Sequence, residues 1–172
     1  MIFMSQSGLT DPARSSAWDA WYVEHLRTML TVSGIHSAQR FSTDSPGYSP
    51  SLAIYSLDGA EVFNAPYYLS VRGLGEWQPL IDRRYYRRNL FSGLDRAPVV
   101  GSGSCLIVAD REREDAALSD LAVTWLVCVG IDRSTPMRGI AALNAAVAAR
   151  LGRQDVAVYR PVTAYMTSSD AG

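Results

Sequence analysis

The stretch from Trp18 to Phe41, WDAWYVEHLRTMLTVSGIHSAQRF, decides the fold because its hydrophobic period changes partway along. Up to Val32 the apolar residues Trp18, Trp21, Tyr22, Leu26, Met29 and Val32 recur at helical spacing, and Gly34 sits where a left-handed cap ends a helix. From Ile35 to Phe41 the run reads as a strand. Working outward, Asp11 followed by Pro12 supplies an N-cap and a first-turn proline, so the helix is expected to begin there, after a strand at Ile2 to Ser7. Downstream, Leu52 to Leu57 is a second strand-like run joined to the first by Ser42 to Pro50, whose Ser-Pro-Gly chemistry predicts a turn. Asp58 with Glu61 has the form of a capping box, opening a helix that Pro66 interrupts or restarts. A Gly-rich loop past Gly73 and Gly75 leads to a fourth strand at Arg84 to Phe91.

Strand, helix, strand, strand, helix, strand is the split βαβ unit of a ferredoxin-like fold, complete by about Leu94. The rest of the chain gives a strand at Ser104 to Asp110, an Ala/Leu stretch at Ala116 to Ala122 and a strand at Val123 to Ile131. A helix at Met137 to Leu151 and a strand at Val156 to Met166 complete it. The expectation is an α+β chain of two tandem ferredoxin-like units, residues 1–94 and a degenerate copy over 104–168, with one strand of the copy missing. Asp95 to Gly103, with Pro98 and two glycines, reads as the linker between them.

Composition removes whole classes of chemistry. All 16 basic residues are Arg, so a lysine Schiff base, a lysine general base and a Walker-type phosphate loop are excluded. A net charge of -1 argues against nucleic-acid binding. Two Cys and two His are too few for a disulfide framework or a thiolate zinc site, and Cys105 and Cys128 lie in apolar runs where reduced, buried thiols are expected. Met1 to Gly8 lacks the basic start and apolar length of a signal peptide, so a cytoplasmic protein with no membrane span is expected.

The string Trp21-Tyr22, Glu24-His25-Leu26, Gly34, Ala38 and Arg40-Phe41 is similar to the "WYxxEHL … PG … ARRF" pattern of the EthD-like proteins. The Leu52 to Leu57 strand with Glu61, Val62, Ala65, Pro66 and Tyr67 resembles that group's "YLALYEL … EVLxSPAY" segment, and Ser33 replaces the Pro of "PG". The resemblance covers Met1 to about Leu94. It implies the dimeric α+β barrel superfamily, helices outside the sheet, a ligand pocket enclosed where inner sheet faces meet, and a homodimer. The Val156 to Met166 strand, with Val158, Tyr159 and Tyr165, offers an edge for such a dimer to bury.

His25 is the first candidate catalytic residue. It lies three and four residues from Tyr22 and Trp21, on the apolar side of the helix, where desolvation keeps an imidazole neutral and able to act as a base. The competing reading is a core histidine locked by hydrogen bonds. Tyr22 would assist catalysis. His36 and Arg40 share one face of the following strand and are candidates for binding a substrate carboxylate or enolate if that face looks inward. If the other face does, Gln39 and Phe41 point inward and Arg40 packs beneath the helix. In Arg83-Arg84-Tyr85-Tyr86-Arg87-Arg88, strand alternation splits the cations between two faces, which favours ion pairing over a single basic patch. No nucleophile elbow occurs, and Glu24 and His25 diverge on the helix, so neither a hydrolytic triad nor a metal site is expected. The functional expectation is a cofactor-independent enzyme acting on a small aromatic, lactone or polyketide-like compound. The alternative is a non-catalytic protein that binds a small apolar ligand or serves in assembly.

Overall fold

The computed structural model describes residues 1–171. Its core is a closed, antiparallel eight-stranded barrel. The strands are β1 (Ile2–Ser7), β2 (Ile35–Ser42), β3 (Ser51–Leu57), β4 (Arg87–Ser92), β5 (Ser104–Arg111), β6 (Thr124–Ile131), β7 (Met137–Asn144) and β8 (Ala157–Pro161). They run in the order β3-β1-β4-β6-β7-β5-β8-β2, and β2 pairs back onto β3 to close the ring. A two-residue strand, β9 (Met166–Thr167), lies beside the start of β2. Taken as quartets in chain order, β2-β3-β1-β4 and β6-β7-β5-β8 repeat one arrangement, and the seams between them are β4 with β6 and β8 with β2.

The helix decided by the opening stretch is α1 (Ser15–Leu30), entered through a 3₁₀ turn at Pro12–Arg14. Asp11 caps that turn, its Oδ1 accepting from the Ala13 amide at 3.0 Å. Gly34 takes φ of +87°, as the exit requires. α1 buries Trp18, Tyr22, Leu26, Met29 and Leu30 against the outer face of the first quartet, where Ala38, Ala53, Tyr55 and Leu90 meet them. A 3₁₀ turn at Ala60–Asn64, α2 (Pro66–Val71) and a further 3₁₀ segment at Gly75–Leu80 follow, so Pro66 restarts the helix as its first residue.

The second quartet departs from expectation at Met137 to Leu151. This Ala-rich segment is not a helix: residues Met137–Asn144 form β7, and only Ala145–Ala148 coil, as α3. The reason is tertiary. β7 pairs with β5 over eight residue pairs and with β6 over four, and its residues alternate, Arg138 and Ile140 inward, Ala141 and Leu143 outward. Gly139 is part of the same design, because a Cβ there would stand 3.0 Å from both Trp125 and Val123. This is the strand that the sequence reading lacked.

Two other expectations change. Asp58 does not cap the turn at Ala60, since its Oδ1 bonds His36 Nε2 instead, and no side chain caps that turn. The Val156 to Met166 segment offers no free edge, because β8 is held between β5 and β2. Asp95 to Gly103, which joins β4 to β5, is also packed in place. Ala97 and Val100 are buried in the barrel's apolar interior, Gln39 Nε2 donates to the Val100 carbonyl at 2.7 Å, and the Ala97 amide donates to Ser56 Oγ at 2.9 Å. The segment plugs one end of the barrel.

Candidate functional site

The barrel interior is filled. Ile2, Met4, Phe41, Leu52, Ile54, Phe91, Leu106, Val108, Leu126, Ile140 and Tyr159 interdigitate there, which removes the ligand pocket expected between the inner sheet faces. Toward the end opposite the plug the lining turns polar. Arg138, 1% exposed, donates from Nε and Nη2 to Asp110 at 2.6 and 2.7 Å and from Nη2 to Gln6 Oε1 at 2.9 Å. A cleft of about 450 Å³ opens beyond Gln6 and Asp110, with Tyr48, Arg84 and Arg87 at its mouth.

A second cavity, about 460 Å³, lies outside the barrel, between the sheet and its helical cover. Its floor is the outer face of the first quartet: Phe3 and Ser5 of β1, Tyr55 of β3 and Arg88 of β4. One wall is α1, through Tyr22, His25 and Met29. The opposite wall comes from the segment after β3, through Phe63, Tyr68, Arg72, Leu74 and Gln78. The period-2 alternation of the strands decides which residues reach it: Phe3 and Ser5 face out while Ile2 and Met4 face into the barrel.

His25 stacks on Trp21 with ring centroids 4.8 Å apart and an 11° interplanar angle, and meets Tyr22 edge-on at 5.5 Å. Burial lowers its pKa to about 4, so the imidazole is neutral at physiological pH. Among the described residues no group hydrogen-bonds its ring nitrogens, so the partner that a locked core histidine requires is not present. Burial raises the pKa of Tyr22, with Arg40 and hydrogen bonds from Ser5 and Tyr55 pulling it back, and burial holds Tyr55 well above the usual phenol range. These hydroxyls stay protonated and serve as donors or acceptors at the cavity floor.

Of the residues singled out from sequence, the structure brings Tyr22 and His25 together at this cavity and leaves His36 and Arg40 out of its lining. His36 sits at an irregularity in the β2 to β3 pairing and bonds Asp58. Arg40, 3% exposed, packs beneath α1: Nη1 pairs with Asp19 at 2.6 Å, Nε donates to Ser51 at 3.0 Å, and the guanidinium lies 4.8 Å over the Tyr22 ring. Its face of β2 is therefore the helix side, and Gln39 and Phe41 take the barrel side. The strand expected from Arg84 begins only at Arg87, because Arg83 to Tyr85 form a turn, so alternation does not sort the whole Arg/Tyr run: Tyr86 and Arg88 line the helix-side cavity, while Arg84, Tyr85 and Arg87 line the cleft at the barrel's polar end. Arg84 pairs with Asp82 and Arg88 with Asp132.

Sequence reasoning missed Tyr55, Tyr68, Arg72 and Arg88 as cavity residues. Two signals were present. Tyr68 and Arg72 stand four residues apart at the end of α2, and Tyr86 and Arg88 share a strand face. Among the described residues no cluster of three potential metal ligands occurs, and no helix is long and apolar enough to cross a membrane. No protein-family model matches the chain, and no curated protein matches it in sequence.

Proposed function

We propose that the chain is a cofactor-independent enzyme whose helix-side cavity takes a small aromatic, lactone or polyketide-like compound, with His25 exchanging a proton with it. The observation that carries this reading is a neutral imidazole with no hydrogen-bond partner among the described residues, lining a cavity walled mostly by aromatic and aliphatic side chains, with Ser5, Gln78 and two arginines among them. A proton leaves an acidic carbon or hydroxyl of the ligand for a ring nitrogen of His25. The charge left on the ligand oxygen is met by hydroxyls of Tyr22, Tyr55 and Ser5. That anion in turn favours the imidazolium, lifting the His25 pKa from its low value in the empty cavity.

The same reading takes the two quartets as ferredoxin-like units in tandem, the first EthD-like and the second degenerate. The shared strand order supports it, as does the reduction of the second unit's helices to a six-residue 3₁₀ turn at Ala116–Leu121 and the four residues of α3.

The test is hydrogen exchange at carbon. A panel of small aromatic ketones, phenols and lactones is incubated in D₂O with the protein and followed by NMR. At least one compound is expected to exchange or turn over about a hundredfold faster with the parent than with His25→Gln. A compound that binds the cavity yet reacts equally with both proteins makes the cavity a binding site without catalysis.

A further inference from the structure

We infer that the compound bound in the helix-side cavity carries a single carboxylate on its flat apolar body, and that Arg72 and Arg88 hold that carboxylate. The inference rests on the cavity being a ligand site. Two guanidinium groups line it, and no Asp or Glu does, while its histidine is uncharged. Arg72, at the exposed end of α2, makes no ion pair among the described residues. Arg88 is engaged from one side only. Its Nη2 reaches Asp132 at 3.3 Å and its backbone amide reaches the other oxygen at 2.8 Å, so Asp132 occupies the edge that carries Nε and Nη2, and Nη1 has no hydrogen-bond partner among the described residues.

The edge of Arg88 that carries Nη1 is open to a ligand oxygen, and a planar carboxylate matches a guanidinium fork in geometry as well as charge. Tyr68 lines the cavity with both arginines, and the two guanidiniums draw its hydroxyl pKa down against the rise that burial causes. Asp132 offsets one of the two positive charges. The single charge remaining suits a carboxylate monoanion better than a phosphate dianion. Phe3, Tyr55 and Phe63, with ring centroids 5.1 to 5.6 Å from the central Phe3, supply the aromatic surface for the ligand body.

The experiment compares 2-naphthoate with 2-naphthamide, which share a shape and differ in charge, by calorimetric titration of the full chain. The parent is expected to bind the naphthoate at least tenfold more tightly. Arg72→Gln and Arg88→Gln are each expected to erase most of that preference without changing naphthamide affinity, and the preference is expected to fall with salt. Equal affinities in the parent, or a preference that survives both Arg substitutions, overturn the carboxylate inference and leave the cavity as a ligand site. No binding of either compound to the parent overturns both. Ser5→Phe and His25→Trp fill the cavity from two sides. Whichever keeps the parental melting temperature must abolish binding of both compounds, and binding that persists in it places the site elsewhere and overturns both readings.

Discussion

The two quartets share a strand order but not a cover. Over the first, a 16-residue helix and the segment from Ala60 to Leu80 stand off the sheet far enough to leave a cavity beneath them. Over the second, short turns press onto Cys105, Ile107 and Ala141 and leave a hollow of about 450 Å³ beside Val123 and Trp125, with Glu114 and Asp115 in its lining, and β6 keeps Val127 and Ile131 at 47% and 40% exposure. The cavity of the first half is lined by aromatic side chains and two arginines, and the hollow of the second has two acidic residues in its lining. Each quartet spends its buried guanidinium internally, Arg138 on Asp110 and Gln6 and Arg40 on Asp19 and Ser51; at the first quartet's cavity, by contrast, His25 and the exposed Arg72 have no hydrogen-bond or ion-pair partner among the described residues.

The largest expected effect falls on the second half. Arg138→Ala strips the partner from Asp110 and leaves Gln6 Oε1 unsatisfied in the barrel, which is expected to cost about 3 to 5 kcal/mol in urea unfolding. Arg138→Met with Asp110→Asn should recover a large part of that. A loss below about 1 kcal/mol for Arg138→Ala would erase the contrast between the halves.

The next concerns acid. The folded pKa of His25 is about 4, below the 6.5 of an exposed imidazole, so between these values the unfolded chain binds a proton that the folded chain refuses. Stability is full above about pH 6.5 and falls as pH drops toward 4, by up to about 3 kcal/mol from this group. Carboxylates add their own acid loss, so the measurement is the difference between the parent and His25→Gln, which should shift in favour of the variant by that amount across the window. Parallel curves for the two proteins would mean that His25 titrates normally and is not desolvated.

Gly139→Val sharpens the comparison from the packing side. Its side chain would press on Trp125 and Val123, with an expected cost of about 1 to 3 kcal/mol and unchanged binding in the cavity on the other half. The smallest effect is expected for His25→Gln at pH 7. With no hydrogen bond to lose, only the stack on Trp21 is weakened, and the stability change should stay below about 1 kcal/mol in thermal unfolding. A loss of 2 kcal/mol or more would restore His25 to a structural role.

The elements legible in the sequence were those whose local signals agree with their surroundings. Asp11, Pro12, the apolar stripe of α1 and Gly34 all point to one helix with a start and a stop, and the strands on either side alternate or run apolar without competing propensity. Met137–Asn144 failed because alanines favour a helix in isolation, while pairing on both sides by β5 and β6 favours a strand, and that pairing is invisible in a single segment. At the site, Tyr22 and His25 were found because helical spacing places them together. Tyr55, Tyr68, Arg72 and Arg88 come from three separate elements, so only the closed fold brings them to one space. Arg40 illustrates the limit of face arithmetic: its face was one of two stated alternatives, and the ion pair with Asp19 across α1 settles which is real.

The last seam has a consequence for how the molecule behaves on dilution. β8 joins β2 through only two register pairs, at Phe41 with Pro161 and Ser42 with Arg160, helped by the Arg40 carbonyl accepting from the Val162 amide at 2.8 Å. Because both strands belong to one chain, their local concentration is fixed by the connecting polypeptide and not by the number of molecules in solution. Closure of the ring at this seam is a unimolecular step, independent of protein concentration.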